Sequence, residues 1–156
     1  MREVRGSLDG AGLRIAIVAS RFNEAVTLRL VEGAKAALRD ARVREEDVLV
    51  VWVPGSFEIP LVAKHLASTG RFHAIVCLGA VVRGETAHFE YVAGEAARGI
   101  AQVARETGIP CLFGVLTTED TLQALERAGG KMGNTGYNAA LAAVQMATLL
   151  RALREE

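Results

Sequence analysis

The sequence predicts an α/β domain, a three-layer sandwich in which a mostly parallel, four-stranded sheet carries helices on both faces and residues 1–156 form one unit. Three observations predict it. Short, continuous apolar runs recur along the chain, as strands buried on both faces require. Longer segments between them carry helix-forming residues with apolar positions at helical spacing. The two types alternate strictly, and no linker, low-complexity segment or repeat interrupts them.

Taken in order, residues 13–19 (LRIAIVA) form the first strand and 24–39 the first helix. Residues 48–53 (VLVVWV) form the second strand and 57–67 the helix after it. The apolar run 72–78 (FHAIVCL) leads into a third strand over 74–82, followed by a helix over 87–106. A fourth strand occupies 111–116, and helices over 119–128 and 137–150 close the chain. The extended piece 3–8 is cut off by Gly10-Ala11-Gly12 and has no local partner, so it is expected to add a strand to the sheet of a neighbouring subunit. Gly94 and Gly99, inside a helix, each cost about 1 kcal/mol relative to alanine, which points to close helix packing.

Composition excludes several classes of function. A chain of 156 residues can bury roughly two-thirds of its unfolded surface. Its 18 basic residues balance 18 acidic ones, leaving no footprint for nucleic acid or an anionic membrane. Any anion must be held locally. Cys77 and Cys111 fall inside strands and read as small buried hydrophobes rather than metal ligands or a disulfide. Residues 1–9 lack the apolar core of a signal peptide, and no apolar run reaches the ~18 residues of a membrane span, so a reducing cytoplasm is expected.

The stretch 79–92 (GAVVRGETAHFEYV) runs from an apolar strand through a polar turn into a helix. With Thr86 as N-cap, the backbone N–H groups of Glu85, Thr86 and Ala87 would face an anion beyond the strand. The same helix terminus is expected to disfavour a charged imidazole at His88. In open α/β sheets ligands bind beyond the carboxyl ends of the strands. Those ends supply Ser20-Arg21-Phe22-Asn23, the segment 54–60 (PGSFEIP), the turn 83–88 and the segment 113–118. Phe22, Phe57 and Phe113 among backbone donors suit a flat heteroaromatic ligand. Two readings of Phe57 and Phe113 stand side by side, core rings or ligand contacts, and Glu58 reads equally as a dipole-stabilised first-turn acid. His65 and His73 lie away from the binding edge and read as structural.

Three segments, 54–60 (PGSFEIP), 79–92 (GAVVRGETAHFEYV) and 126–136 (ERAGGKMGNTG), occur in order and each at a strand or helix end. Together they resemble the 6,7-dimethyl-8-ribityllumazine synthase family of riboflavin biosynthesis, and the resemblance covers nearly the whole chain. It implies a flavodoxin-like fold and a transferase that condenses 5-amino-6-(ribitylamino)uracil with 3,4-dihydroxy-2-butanone 4-phosphate, without metal or organic cofactor. It implies that Phe22 stacks on the uracil ring, that Ser56, Phe57 and Glu58 hold the ribityl chain, and that Ala80, Val81, Val82 and Phe113 contact the pyrimidine. Glu85 and Thr86 would hold the phosphate through main-chain N–H groups, with Arg127 as cationic partner, and His88 would move protons. The resemblance also implies pentamers, a shell of twelve pentamers where the turn before the last helix is short, and riboflavin synthase as a partner. A flavin mononucleotide-binding protein of the same fold is the alternative, and turnover separates the two. A structural shell protein is a third reading, compatible with the enzyme.

Overall fold

The computed structural model describes residues 1–84 and 87–156. Strands β1 (Ile15–Ser20), β2 (Val48–Val53), β3 (Ala74–Val82) and β4 (Cys111–Thr118) form one sheet in the order β2-β1-β3-β4. Every neighbouring pair is parallel, a stricter arrangement than the mostly parallel sheet expected. All of β1 is buried, and so is β3 apart from its last residue, which accounts for their unbroken apolar sequences. The edge strand β2 is only partly covered.

Alternate residues of the central strands point to opposite faces and make two cores. On one face Ile15, Ile17, Val76 and Leu78 pack under α1 (Glu24–Asp40) and α5 (Thr135–Arg154), through Leu30, Val31, Ala140 and Val144. On the other, Ala16, Val18, Ile75 and Cys77 meet Ile59 and Ala63 of α2 (Ile59–Ala67) and Ile100 and Val103 of α3 (His88–Thr107). Full burial of one such large side chain contributes about 1.5–3 kcal/mol, whereas an exposed ion pair contributes ~0–1 kcal/mol. The fold is held by its two cores. Among the described residues no helix is long and apolar enough to cross a membrane.

Several boundaries differ from the sequence expectation, each for a local reason. The helix expected over 57–67 is a 3-10 turn at Ser56–Glu58 followed by α2, which places Pro60 in the first helical turn, where its missing N–H leaves no bond unmade. The helix expected over 119–128 shortens to α4 (Thr121–Glu126), started by the Asp120 side chain, which accepts the Gln123 N–H at 2.8 Å. Beyond it, Ala128–Gly130 (β5) and Gly133–Asn134 (β6) form a small antiparallel ribbon, with Gly129 and Gly133 at φ 103° and 84°. The last helix starts at Thr135 because Asn134 Oδ1 accepts the Tyr137 N–H at 3.0 Å.

Close packing fixes α5 on α1. A Cβ at Gly136 would overlap the Leu30 carbonyl, and one at Gly33 would overlap the Asn134 side chain. Asn134 Nδ2 in turn donates to the Arg29 carbonyl at 3.1 Å. Gly99 serves the expected close packing within the chain, since a Cβ there would strike Pro60 of α2. Gly94 does not, for it meets only the flexible end of Arg98.

Within its own chain the N-terminal piece meets α5, a partner remote in sequence. Ser7 N–H donates to Thr148 Oγ1 of α5 at 2.8 Å, Gly6 passes against the Gln145 carbonyl where no Cβ would fit, and Arg2 pairs with Glu156. Residues 1–5 are exposed and form no strand. His73 is structural, as expected. Its N–H donates to the Arg14 carbonyl at 2.8 Å while its Nδ1 accepts the Arg14 N–H at 2.9 Å, and burial beside the Arg14 charge lowers its pKa from 6.5.

Asn134 joins a helix cap to an interhelical hydrogen bond, so Asn134→Ala should lose about 1–2 kcal/mol of stability, and Asn134→Asp, which keeps only the acceptor, less. Denaturant unfolding of the three proteins measures both differences.

Candidate active site

The carboxyl ends of β1, β2 and β3 and the first turn of α3 enclose a cleft of about 790 Å³. At its β1 side the parallel pairing with β2 continues past the strands, with Arg21 N–H donating to the Val53 carbonyl at 2.7 Å and Phe22 N–H to the Pro54 carbonyl at 3.1 Å. The Phe22 ring is left 71% exposed at the rim. Asn23 then turns the chain into α1 from the left-handed region, at φ 61° and ψ 47°, which asparagine tolerates better than most residues. Its Nδ2 donates to the Ala80 carbonyl at 2.9 Å and ties this turn to β3.

The segment after β2 supplies the opposite wall. Ser56 is buried against Gly79 of β3, where a Cβ would overlap Ser56 Oγ. Phe57 is 58% exposed and Glu58 half-buried, so Phe57 is not a core ring. Glu58 belongs to the 3-10 turn before α2. His88 is the first residue of α3, exposed and lining the cleft beside Phe89. The cap position is Ala87, one residue later than the Thr86 cap expected.

Of the predicted site residues, Phe22, Ser56, Phe57, Glu58, Ala80, Val81, Val82 and His88 line this one cleft. Glu85 and Thr86 lie outside the described residues. Phe113 does not line it. It stands opposite Cys77 in the body of β4, which runs on to Thr118, so at ~3.3 Å per residue Phe113 sits roughly 16 Å short of the strand's carboxyl end. It is 46% exposed and is therefore not a core ring either. Arg127 is outside the lining as well, at the end of α4, its Nη1 donating to the Gln123 carbonyl at 3.2 Å. The sequence reading missed Asn23 and Tyr91 as cleft residues. Asn23 ends the strand-end segment 20–23, but its role depends on the distant Ala80 carbonyl.

The arrangement is an open apolar slot with rings at its rim and a few polar groups, Ser56, Glu58, Asn23 and His88, around it. Nucleophilic cysteine chemistry is absent from this cleft. Burial pushes the Cys77 thiol well up and that of half-buried Cys111 to about 11, so both are protonated at neutral pH, and neither lines the cleft.

Residues 12–151 match the family described as 6,7-dimethyl-8-ribityllumazine synthase. The chain belongs to that family. A lumazine synthase of Arabidopsis thaliana, named as chloroplastic, is 55% identical over 150 residues, which are 96% of this chain. The chain spans 66% of that relative's length. Among solved structures, a de novo designed Rossmann fold protein aligns with 73% of this chain and 92% of its own at 15% identity, with a TM-score of 0.40, a likeness too loose to carry an argument.

The floor of this cleft depends on a missing side chain. Gly79→Ala should displace Ser56 and cost about 1–3 kcal/mol, and a second change, Ser56→Gly, should recover most of the loss because its hydroxyl is the atom in the way. Thermal unfolding of the single and double variants is the measurement.

Proposed function

We propose that this protein condenses 5-amino-6-(ribitylamino)uracil with 3,4-dihydroxy-2-butanone 4-phosphate to give 6,7-dimethyl-8-ribityllumazine, phosphate and water, the penultimate step of riboflavin biosynthesis. One observation carries the reading: in a chain of this family, residues from three strand ends and a helix start, 66 positions apart from Phe22 to His88, line a single cleft. Phe22 stacks on the uracil ring. Ser56, Phe57 and Glu58 hold the ribityl chain, and Ala80, Val81 and Val82 contact the pyrimidine edge. Main-chain N–H groups of Glu85 and Thr86, with Arg127, hold the phosphate. Phe113 and Arg127 do not line the cleft of their own chain, which supports a site completed by a neighbouring subunit.

The chemistry needs proton transfers and proximity. The amine attacks the ketone and loses water to give an imine, then phosphate leaves by elimination. The resulting enol tautomerises, the ribitylamino nitrogen closes the second ring, and a second water departs. His88 gives and takes protons along this path, a contribution of typically 10²–10⁴ in rate. Holding both substrates in one slot makes the condensation effectively intramolecular and contributes as much or more. Mixing the two substrates with purified protein should produce the lumazine chromophore and free phosphate together. Absence of both overturns the reading.

We extend the reading to a reducing compartment such as the cytoplasm, which suits two free thiols, and to a pentamer-based shell of sixty subunits. The shell is supported by the short connection between α4 and α5, which holds only the β5–β6 ribbon, by exposed residues 1–5 and by an edge strand β2 that is only partly covered. Riboflavin synthase, which consumes the product, is the protein partner this assembly would suit.

Three outcomes are expected. His88→Ala should lower turnover by about one to three powers of ten with little change in substrate affinity, measured by steady-state kinetics. Arg127→Ala should weaken binding of the butanone phosphate far more than that of the uracil substrate, and calorimetry with each ligand separates the two. Electron microscopy and sedimentation at neutral pH should show closed particles, and isolated pentamers alone would leave only the ring.

A further inference from the structure

We propose that Arg83 is a positioning residue that seats His88, by tying the first turn of α3 to the carboxyl ends of β3 and β4. Its kinetic consequence rests on the condensation proposed above; its structural consequence does not. Arg83 directly follows β3, and its N–H donates to the Thr118 carbonyl at 2.9 Å, extending the β3–β4 pairing by one step. From that fixed backbone the guanidinium reaches three side chains. Its Nε lies 3.0 Å from a Glu119 carboxylate oxygen, its Nη1 lies 3.8 Å from Glu90, and its Cζ stands 4.6 Å from the centroid of the Phe89 ring. Phe89 and Glu90 follow His88 in the first turn of α3, so one side chain grips the turn from both the ring and the charge.

An exposed ion pair alone is a weak tie, and the Arg83 side chain is 43% exposed. The hold comes from the combination. A planar guanidinium can stack its face on a ring while its edge meets carboxylates, which an ammonium cannot do at once. At the cap position Ala87 itself offers no side-chain acceptor. Phe89, the ring beneath the guanidinium, packs against the core between α2 and α3 and also lines the cleft, so its placement is transmitted to the residue before it. With Glu119 and Glu90 around it, the Arg83 charge is already matched, and this assigns it to positioning rather than to holding an anionic substrate.

The test compares Arg83→Met, Arg83→Lys, His88→Ala and the double variant Arg83→Met/His88→Ala, by steady-state kinetics and by amide hydrogen exchange over residues 88–92. Arg83→Met should lower kcat about tenfold with KM for the butanone phosphate changed less than about threefold, because misplacing a proton-transfer group costs rate more than affinity. Lysine should restore only part of it. The double variant should be no slower than His88→Ala within about twofold, since Arg83 acts through His88. Exchange over 88–92 should rise about tenfold in Arg83→Met and stay unchanged in the sheet. A rise in KM for the phosphate substrate at constant kcat, losses that multiply in the double variant, or unchanged exchange over 88–92 would each overturn the proposal. Should Arg83→Met fail to fold, Glu119→Gln removes one partner and should show the same exchange change in smaller degree, its absence counting against the proposal. If the unaltered protein makes no lumazine, the condensation reading falls and the exchange data alone decide the role of Arg83.

Discussion

A strand buried on both faces can place polar groups only at its ends, and β3 lies between β1 and β4 under that constraint. Its side chains feed both cores, so the interior of the sheet offers no room for chemistry. Polarity begins where β3 stops. The neighbouring turns converge on that end: Asn23 reaches the Ala80 carbonyl, Ser56 settles over Gly79, and Arg83 gathers Glu119 and Glu90. The cleft is the space these groups leave above the end of the sheet.

This geometry also bears on how a chain with balanced charge would hold the anionic substrate proposed for it. No long-range field draws it in, so recognition must come from a few groups at short range, where backbone N–H groups at strand and helix ends are fixed in direction without cost in side-chain entropy. Aromatic exposure follows the same logic. Phe22 and Phe57 would contribute more to stability if buried, yet both stand open at the rim, where they can meet a flat ligand.

The sheet was legible because burial on both faces leaves an unmistakable apolar run, and the cleft walls were legible because strand ends in such a sheet point to one edge. What could not be read depended on contacts across long stretches of chain. The short α4 follows from the Asp120 cap and from glycines that fold back into the β5–β6 ribbon, and the early start of α5 follows from Asn134. Phe113 resembles a strand-end residue only if β4 stops at residue 116; two more residues of pairing move it into the strand body. The N-terminal piece found its partner in Thr148, at the far end of the chain, a contact that no local pattern announces. Arg83 stood in the most informative motif, yet its significance lies in Glu119, beyond the next strand.

The docking of α5 on α1 has a consequence for synthesis. The apolar face formed by α1 and the central strands is complete by the time β4 has been made, but its cover is the last helix of the chain, seated by Asn134 and Gly136. Until α5 docks, Leu30, Val31 and the neighbouring strand residues lack their cover, in a parallel sheet whose pairings already join distant parts of the chain. The partly folded protein therefore carries an adhesive surface, and docking of α5 is the step that ends its exposure to aggregation and to chaperone capture.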